Sequence, residues 1–384
     1  MRKLLHIFLI TLSTISYSQT AITDSNREMA ITDCLSTNPV DGMCSDSEYG
    51  LMPNWDVSNV TNMSAMFEYA PSFNGDLSNW DVSNVTNMSN MFASAPSFNG
   101  DISNWDVSSV TNMSLMFANA SSFNQPLNDW ETSSVTNMYA MFAYASSFNG
   151  DVSNWDVSSV TNMSNMFSYA SSFNADVSNW DVSSTTNMNT MFTNASSFNQ
   201  PLNDWDVSSV TDMYAMFANA TSFNGDVSNW DVSSVTELSA MFGNSALSTE
   251  NYDALLNGWS QQNVQSNVTF GAQFLNYCNG ADARQSLIDN HNWTINDAGL
   301  DCSTAGVDDQ NQLVVSVYPN PTSDIVYIEG NYTQLKVVVY NILGKEVINK
   351  SITNSIDISH LENGVYLMKL SDGAKLTTQR IIKN

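Results

Sequence analysis

Between Arg27 and Arg284 the chain has no lysine or arginine. The same stretch, 28–283, holds 26 Asp and Glu with no basic residue to offset them, a charge of −26. Nucleic acid and acidic membranes are poor partners for such a surface, because phosphate binding needs clustered basic side chains that release counterions. Basic proteins, cations and neutral glycans remain. Histidine is nearly as scarce, with only His291 and His360 beyond His6, so acid–base chemistry would fall to carboxylates alone.

Long apolar runs are missing after residue 15, and nothing later approaches the eighteen or more residues of a membrane span. The first eighteen residues have the form of a secretory signal peptide: Arg2 and Lys3, an apolar run from Leu4 to Ile15, then Ser16-Tyr17-Ser18 before Gln19. No cysteine follows that cleavage site, which argues against a lipid anchor there. The four cysteines fall in two local groups, Cys34 with Cys44 and Cys278 with Cys302. In an exported chain they are expected to pair within each group, the most economical of three connectivities, each closed loop contributing roughly 3 kcal/mol. They have no CxxC spacing and no adjacent histidine, as a zinc site would.

What the chain does have is a period. Trp55, Trp80, Trp105, Trp130, Trp155, Trp180, Trp205 and Trp230 lie 25 residues apart without insertion or deletion. A fixed repeat of this length marks a solenoid, whose units bury their apolar faces only by stacking. Where the second copy runs into the third, Ile102, Trp105 and Val107 suggest a short strand with Trp and Val inward and Asp106 outward. Val85, Met88, Met91, Phe92 and Ala95 follow helical spacing, with Thr86 or the preceding Ser as cap and Pro96 as terminator. Asn-Gly at 74–75, 99–100, 149–150 and 224–225 is expected to supply a tight turn at positive φ. The expected unit is strand, turn, helix, turn, and the expected class is an α/β solenoid of leucine-rich-repeat-like units followed by a small all-β sandwich.

Comparing the copies with one another separates core from surface. Trp, the second Met and the following Phe never change. Positions 64, 65, 68 and 69 and their equivalents do, and they include Tyr69, Tyr139, Tyr144, Tyr169 and Tyr214. These tyrosines read either as ordinary surface residues or as ligand contacts, since Tyr adds contact area at low entropic cost. The Met–Phe stripe reads as core, with Met filling gaps. Asp81, Asp106, Asp156, Asp181, Asp206 and Asp231, with Glu131 interrupting, form a like-charged row. Two accounts stay open for it: each carboxylate accepts local hydrogen bonds from the following Ser and backbone amides, or calcium bridges successive copies. Glu131 and the shifted Asp129 and Asp204 break a strict ladder and favour the first. No other cofactor is expected.

The expected organisation is a signal peptide over 1–18, an N-terminal cap over 19–54, eight repeats over 55–247, a C-terminal cap over 248–302, a linker over 303–312 and a terminal domain over 313–384. In the C-terminal cap, a helix is expected from Ser248 with Tyr252, Leu255, Leu256 and Trp259 on one face, a strand at Val268–Phe270 and a helix at Ala281–Asn290. In the last domain seven Lys and Arg balance six Asp and Glu, so the anionic character ends there. Short strands are expected at Leu313–Tyr318, Ile325–Glu329, Lys336–Tyr340, Ile356–Ile358, Val365–Leu370 and Thr377–Ile382.

This last domain carries Val317-Tyr318-Pro319-Asn320-Pro321-Thr322, then Val339-Tyr340-Asn341-Ile342-Leu343-Gly344-Lys345, then Leu361-Glu362-Asn363-Gly364-Val365-Tyr366 and the basic end Arg380-Ile381-Ile382-Lys383. It resembles the C-terminal sorting domain of the type IX secretion system of Bacteroidetes, with Pro319, Asn320, Pro321, Gly344, Gly364 and Tyr366 in the matching motifs. The resemblance implies the type IX machinery as a partner, passage across the outer membrane, and release or attachment at the cell surface. The repeat core, Asn-Trp-Asp-Val-Ser-x-Val-Thr-Asn-Met-x-x-Met-Phe, is similar to BspA-like bacterial surface proteins with leucine-rich-type repeats, although Trp and Met stand where such repeats carry Leu. That resemblance implies adhesion. The functional expectation is therefore an exported interaction or adhesion module for a protein or glycan, with an anionic spacer or coat as the alternative. A carbohydrate-active enzyme is disfavoured, because eight near-identical copies offer no single unusual carboxylate pocket.

Overall fold

The structure is a computed structural model that describes residues 20–303, 313, 315–330, 332–342, 344–373 and 375–384. The expected signal peptide and all of the linker but Ser303 lie outside the described residues. The chain divides into two compact units, Met1–Cys302 and Ser303–Asn384.

In the first unit the copies stack in parallel with a constant offset of 25 residues. Asn62, Asn87, Asn112, Asn137, Asn162, Asn187, Asp212 and Glu237 pair in that order as single parallel bridges. One residue earlier, each Thr amide from Thr86 to Thr236 donates to the Thr carbonyl of the preceding copy at 2.8–3.0 Å. Further along the second copy, the amides of Met88, Asn90, Phe92 and Ser94 donate to Asn112, Ser114, Met116 and Ala118 of the next copy at 2.7–2.9 Å. The alternate amides of Met91, Ala93 and Ala95 turn back onto Met88, Asn90 and Phe92.

This alternation corrects the expected helix. Residues 55–247, all of them described, contain no α-helix; the Val–Met–Met–Phe–Ala stripe is a run of linked tight turns. An α-helix would spend every amide within its own copy, and one of two turns is marginal by itself. Here every second amide bonds a neighbouring copy, and Asn, Ser and Thr take turn positions they favour over a helix interior. Two residues per copy pass through the left-handed region to make this possible, at φ of 49–61° from Ala65 and Tyr69 through to Ala240 and Asn244. Linked turns return the chain to the core every three or four residues, which is why the spacing imitates a helix.

The Trp segment is likewise not a strand. The Trp105 amide closes a turn on the Ile102 carbonyl at 3.2 Å, and Trp105 and Val107 are buried while Asp106 is exposed. Each indole from Trp80 to Trp230 donates to a buried carbonyl 28 residues earlier at 2.7–3.1 Å, so the polar edge of a large apolar group is satisfied inside the core. Two phenylalanine columns run through the stack. From Phe67 to Phe242 successive rings are 5.3–5.7 Å apart and within 8° of parallel. From Phe73 to Phe223 they are 5.9–6.0 Å apart.

The Asn-Gly pairs also differ from expectation: the positive-φ glycines among the described residues are Gly42, Gly50, Gly299, Gly344 and Gly373, none of them in these pairs. At Gly150 the reason for glycine is proximity, since a Cβ would lie 2.2 Å from the Gln125 carbonyl oxygen of the preceding copy. The asparagine acts through its side chain. The Oδ1 of Asn74, Asn99, Asn124, Asn149, Asn174 and Asn199 accepts the amide of the Asn one copy later at 2.7–2.9 Å.

Both ends of the stack are closed. At the first, α1 (Arg27–Thr37) is tied by the Cys34–Cys44 disulfide. The Asp24 carboxylate takes the amides of Thr61 and Asn62 at 3.0 Å, replacing the preceding copy that the first repeat lacks. At the other end, α2 (Thr249–Trp259), β1 (Thr269–Gly271), β2 (Asn276–Tyr277), α3 (Ala281–His291), β3 (Thr294–Asn296) and β4 (Gly299–Leu300) follow the last copy. The Ser248 hydroxyl caps α2, and Tyr252, Leu255, Leu256 and Trp259 are buried. The Phe242 amide reaches the Gly271 carbonyl at 2.9 Å, and β1 pairs with β3 and β2 with β4 in parallel. The Cys278–Cys302 disulfide joins this region to its end.

The second unit comprises β5 (Val315–Tyr318), β6 (Ile325–Gly330), β7 (Leu335–Asn341), β8 (Glu346–Ile352), β9 (Ser355–Asp357), β10 (Gly364–Ser371) and β11 (Leu376–Lys383). A four-stranded sheet in the order β11-β10-β7-β8 and a three-stranded sheet β5-β6-β9, both antiparallel, share one apolar core around Val326, Val337, Val339, Met368 and Leu370. The sequence reading has no counterpart of β8.

Candidate functional site

The five variable tyrosines are all exposed, yet the structure places them in three different settings. Tyr69 lines a cavity of about 450 Å³ beside α1, with Ile31, Leu35, Pro39 and Met66 as its apolar wall and Glu28 and Glu68 among its lining. Tyr139 and Tyr214 occupy equivalent positions in two copies, their amides held by Asn137 and Asp212 at 3.0 and 2.9 Å. Tyr144 and Tyr169 are neighbours, one copy apart, with rings stacked 4.4 Å apart and 8° from parallel.

That pair belongs to a longer row. Asn119, Tyr144, Tyr169, Asn194, Asn219 and Asn244 follow one another at 25-residue spacing, each in the left-handed region, and with Ser121, Ser146, Ser171, Ser196 and Thr221 they line an open groove of about 890 Å³. The Asn244 side-chain Nδ2 donates to the Asn219 side-chain Oδ1 at 2.9 Å. No residue of this lining is charged, in a unit whose surface is otherwise acidic. The asparagine and serine members of the groove were invisible in the sequence as site residues. The signal that could have found them is their shared position, since Asn recurs where the backbone is left-handed and Asn tolerates that conformation better than other residues.

The aspartate row is held locally. Oδ1 of Asp81, Asp106 and Asp156 accepts both the amide of the Ser two residues on, at 3.0–3.2 Å, and its hydroxyl, at 2.6 Å. Asp181, Asp206 and Asp231 accept the corresponding Ser amides at 3.0–3.1 Å. A second row, Asp76 and Asp101 among it, makes the same turn with Ser78 and Ser103. Among the described residues no three His, Cys, Asp or Glu side chains come together as a metal site.

These turns shift the carboxylates. The Ser78, Ser83 and Ser158 hydroxyls, helped by the same residues' amides, hold Asp76, Asp81 and Asp156 below the ordinary Asp range. At Asp101 the Ser103 amide leads and its hydroxyl adds. A carboxyl that holds its proton less tightly when folded contributes stability above the unfolded value of about 3.9 and loses it as pH falls through the lowered folded value. The melting temperature of the repeat unit is therefore expected to stay level from about pH 7 to pH 5 and to fall below about pH 4. In a Ser78→Ala, Ser83→Ala, Ser158→Ala triple variant the acid-side fall is expected to become shallower. A melting temperature that rises on acidification shows that relief of carboxylate repulsion wins instead.

In the second unit, Asn320 joins the Pro319–Pro321 segment to β11, donating to the Arg380 carbonyl at 2.7 Å and accepting the Ile382 amide at 2.9 Å. Gly344 turns the chain between β7 and β8 at a φ of 75°, Gly364 opens β10, and the Tyr366 hydroxyl donates to the Glu362 carbonyl at 2.8 Å.

Comparison with known families gives two matches. The family described as a Mycoplasma protein of unknown function, DUF285, matches residues 42–154 and again 145–259, together more than half of the chain. The secretion system C-terminal sorting domain matches residues 316–384. No curated protein matches the chain. The sorting domain assigns export by type IX secretion, to the cell surface or the extracellular space. No helix among the described residues is long and apolar enough to cross a membrane.

Proposed function

Since this chain belongs to the DUF285 family and ends in a secretion sorting domain, we propose that it is an exported interaction module that adheres to an extracellular polymer through the outer face of its repeats. In this reading the stack is a turn-built solenoid, akin to the leucine-rich-type repeats of BspA-like surface proteins, and it performs no catalysis. The observation that carries it is the uncharged groove with two stacked, exposed tyrosines on an otherwise acidic unit. A coat whose only task is to keep the cell surface anionic has no use for such a break in its charge. Copies in fixed register suit a repetitive ligand, where many weak contacts add through effective concentration.

The test is retention of the purified mature protein on immobilised extracellular glycans and proteins. Saturable retention by at least one of them is the expected result. Absence of saturable retention across the panel returns the protein to a structural coat.

A further inference from the structure

We infer that the groove from Asn119 to Asn244 is a binding site for a neutral polysaccharide, centred on Tyr144 and Tyr169. The inference rests on the interaction-module reading above and adds the place and the ligand class.

Charge is the first argument. The lining carries no ionisable group at neutral pH, while the surrounding stretch carries 26 acidic residues and no basic one. A polyanion is repelled by that surrounding field, and a basic peptide finds in the groove itself no carboxylate to pair with. An uncharged ligand avoids both penalties.

Chemistry is the second. Asn amides and Ser hydroxyls each donate and accept, as sugar hydroxyls do, so they match in pairs without proton transfer or a fixed charge. Protein interfaces, by contrast, deplete Ser and build their centres from apolar side chains. The groove has five Ser or Thr and a single aromatic pair.

Geometry is the third. Copies about 4.8 Å apart place the five intervals from Asn119 to Asn244 over about 24 Å, a run of equivalent contacts suited to a chain of equivalent units. Each stacked ring has one face covered by the other, and the next positions of the row, one copy before Tyr144 and one copy after Tyr169, hold the smaller Asn119 and Asn194. Those steps leave aromatic faces against which the apolar C–H face of a sugar ring can stack.

Backbone conformation points the same way. Tyr144 and Tyr169 sit at φ of 61° and 59°, where a bulky side chain is disfavoured and where Asn occupies the same row at 119, 194, 219 and 244. Two adjacent tyrosines kept against that preference fit a role in contact rather than in folding.

The same comparison supplies the variant. Tyr144→Asn with Tyr169→Asn installs the residue that the backbone already accepts in four copies, so it keeps the fold and removes only the rings. The mature full-length protein, this variant and a Tyr139→Ala, Tyr214→Ala control are run by affinity electrophoresis in gels containing a mixed-linkage β-glucan, an arabinoxylan or a galactomannan. Alginate and an extracellular-protein panel complete the set, and an unchanged melting temperature certifies each fold. The expected result is retardation by at least one neutral polysaccharide, weakened at least about tenfold in the Asn variant and unchanged in the control. Equal retardation of the wild type and the Asn variant overturns this site while leaving the adhesive reading intact. Binding only to alginate or to protein overturns the ligand class and also leaves that reading intact. Binding to nothing in the set overturns both.

Discussion

Replacing Trp155 with alanine is expected to lower the unfolding free energy by about 4 kcal/mol or more, near the top of the range for a single core truncation. Three losses coincide. Trp155 is 3% exposed, so nearly the whole indole leaves a cavity behind. Its Nε1–H donates to the Leu127 carbonyl at 2.7 Å, and that buried oxygen is left without its partner. Its ring stacks between Trp130 and Trp180 at 6.3 and 6.1 Å, so contacts fail on both sides of the copy. In a stack whose stability is a sum of unit and nearest-neighbour terms, a central copy loses two interfaces at once. Trp155→Phe keeps most of the apolar area and loses the hydrogen bond, with an expected effect of about 1–3 kcal/mol. Urea unfolding followed by far-ultraviolet circular dichroism measures both. A Trp155→Ala loss below about 1 kcal/mol contradicts the packing described above.

The second large effect is expected at Asp297, inside the C-terminal cap. Its side chain is 2% exposed and accepts from Arg284 Nε at 2.7 Å, from Arg284 Nη2 at 3.1 Å and from the Tyr252 hydroxyl at 2.9 Å. Burial, with the Asp297 charge beside it, raises the Tyr252 phenol far above its ordinary range, so it stays a donor. Asp297→Ala strands the guanidinium, which also lies over the Tyr277 ring at 5.2 Å, and the expected loss is about 3–5 kcal/mol. Arg284→Met with Asp297→Leu removes both charges and is expected to recover a large part of it. Because the cap covers the end of the phenylalanine columns, the single variant is also expected to associate with rising concentration in size-exclusion chromatography. A monomeric single variant with wild-type stability shows that the cap does not depend on this triad.

Much of the interior was legible in the residues. Trp, Met and Phe recur unchanged because each copy meets the same environment, and those invariant positions are the buried ones. The Ser248 cap and the apolar face of α2 follow ordinary helix rules and form where the pattern puts them. The repeats themselves misled: Val85, Met88, Met91, Phe92 and Ala95 look helical, yet linked turns satisfy the same spacing. Spacing reports how often the chain revisits the core, not where its amides bond. β8 was missed for a different reason. It is an edge strand in which Glu346, Asn349 and Lys350 break any apolar alternation, as exposed edges tend to do. The candidate site was half legible, since the variable tyrosines mark the outer surface but not which of them are neighbours.

By itself the sequence determined the unit length, the residues that hide, the acidic exterior and the export domain, because each is a property of composition and period. Only the tertiary structure decided that alternate amides cross between copies, that two positions per copy become left-handed, and that Tyr144 and Tyr169 stack while Tyr139 and Tyr214 stand elsewhere. Those outcomes depend on carbonyls and rings 25 residues away in the chain, and local propensity carries no information about a partner that stacking alone brings into reach.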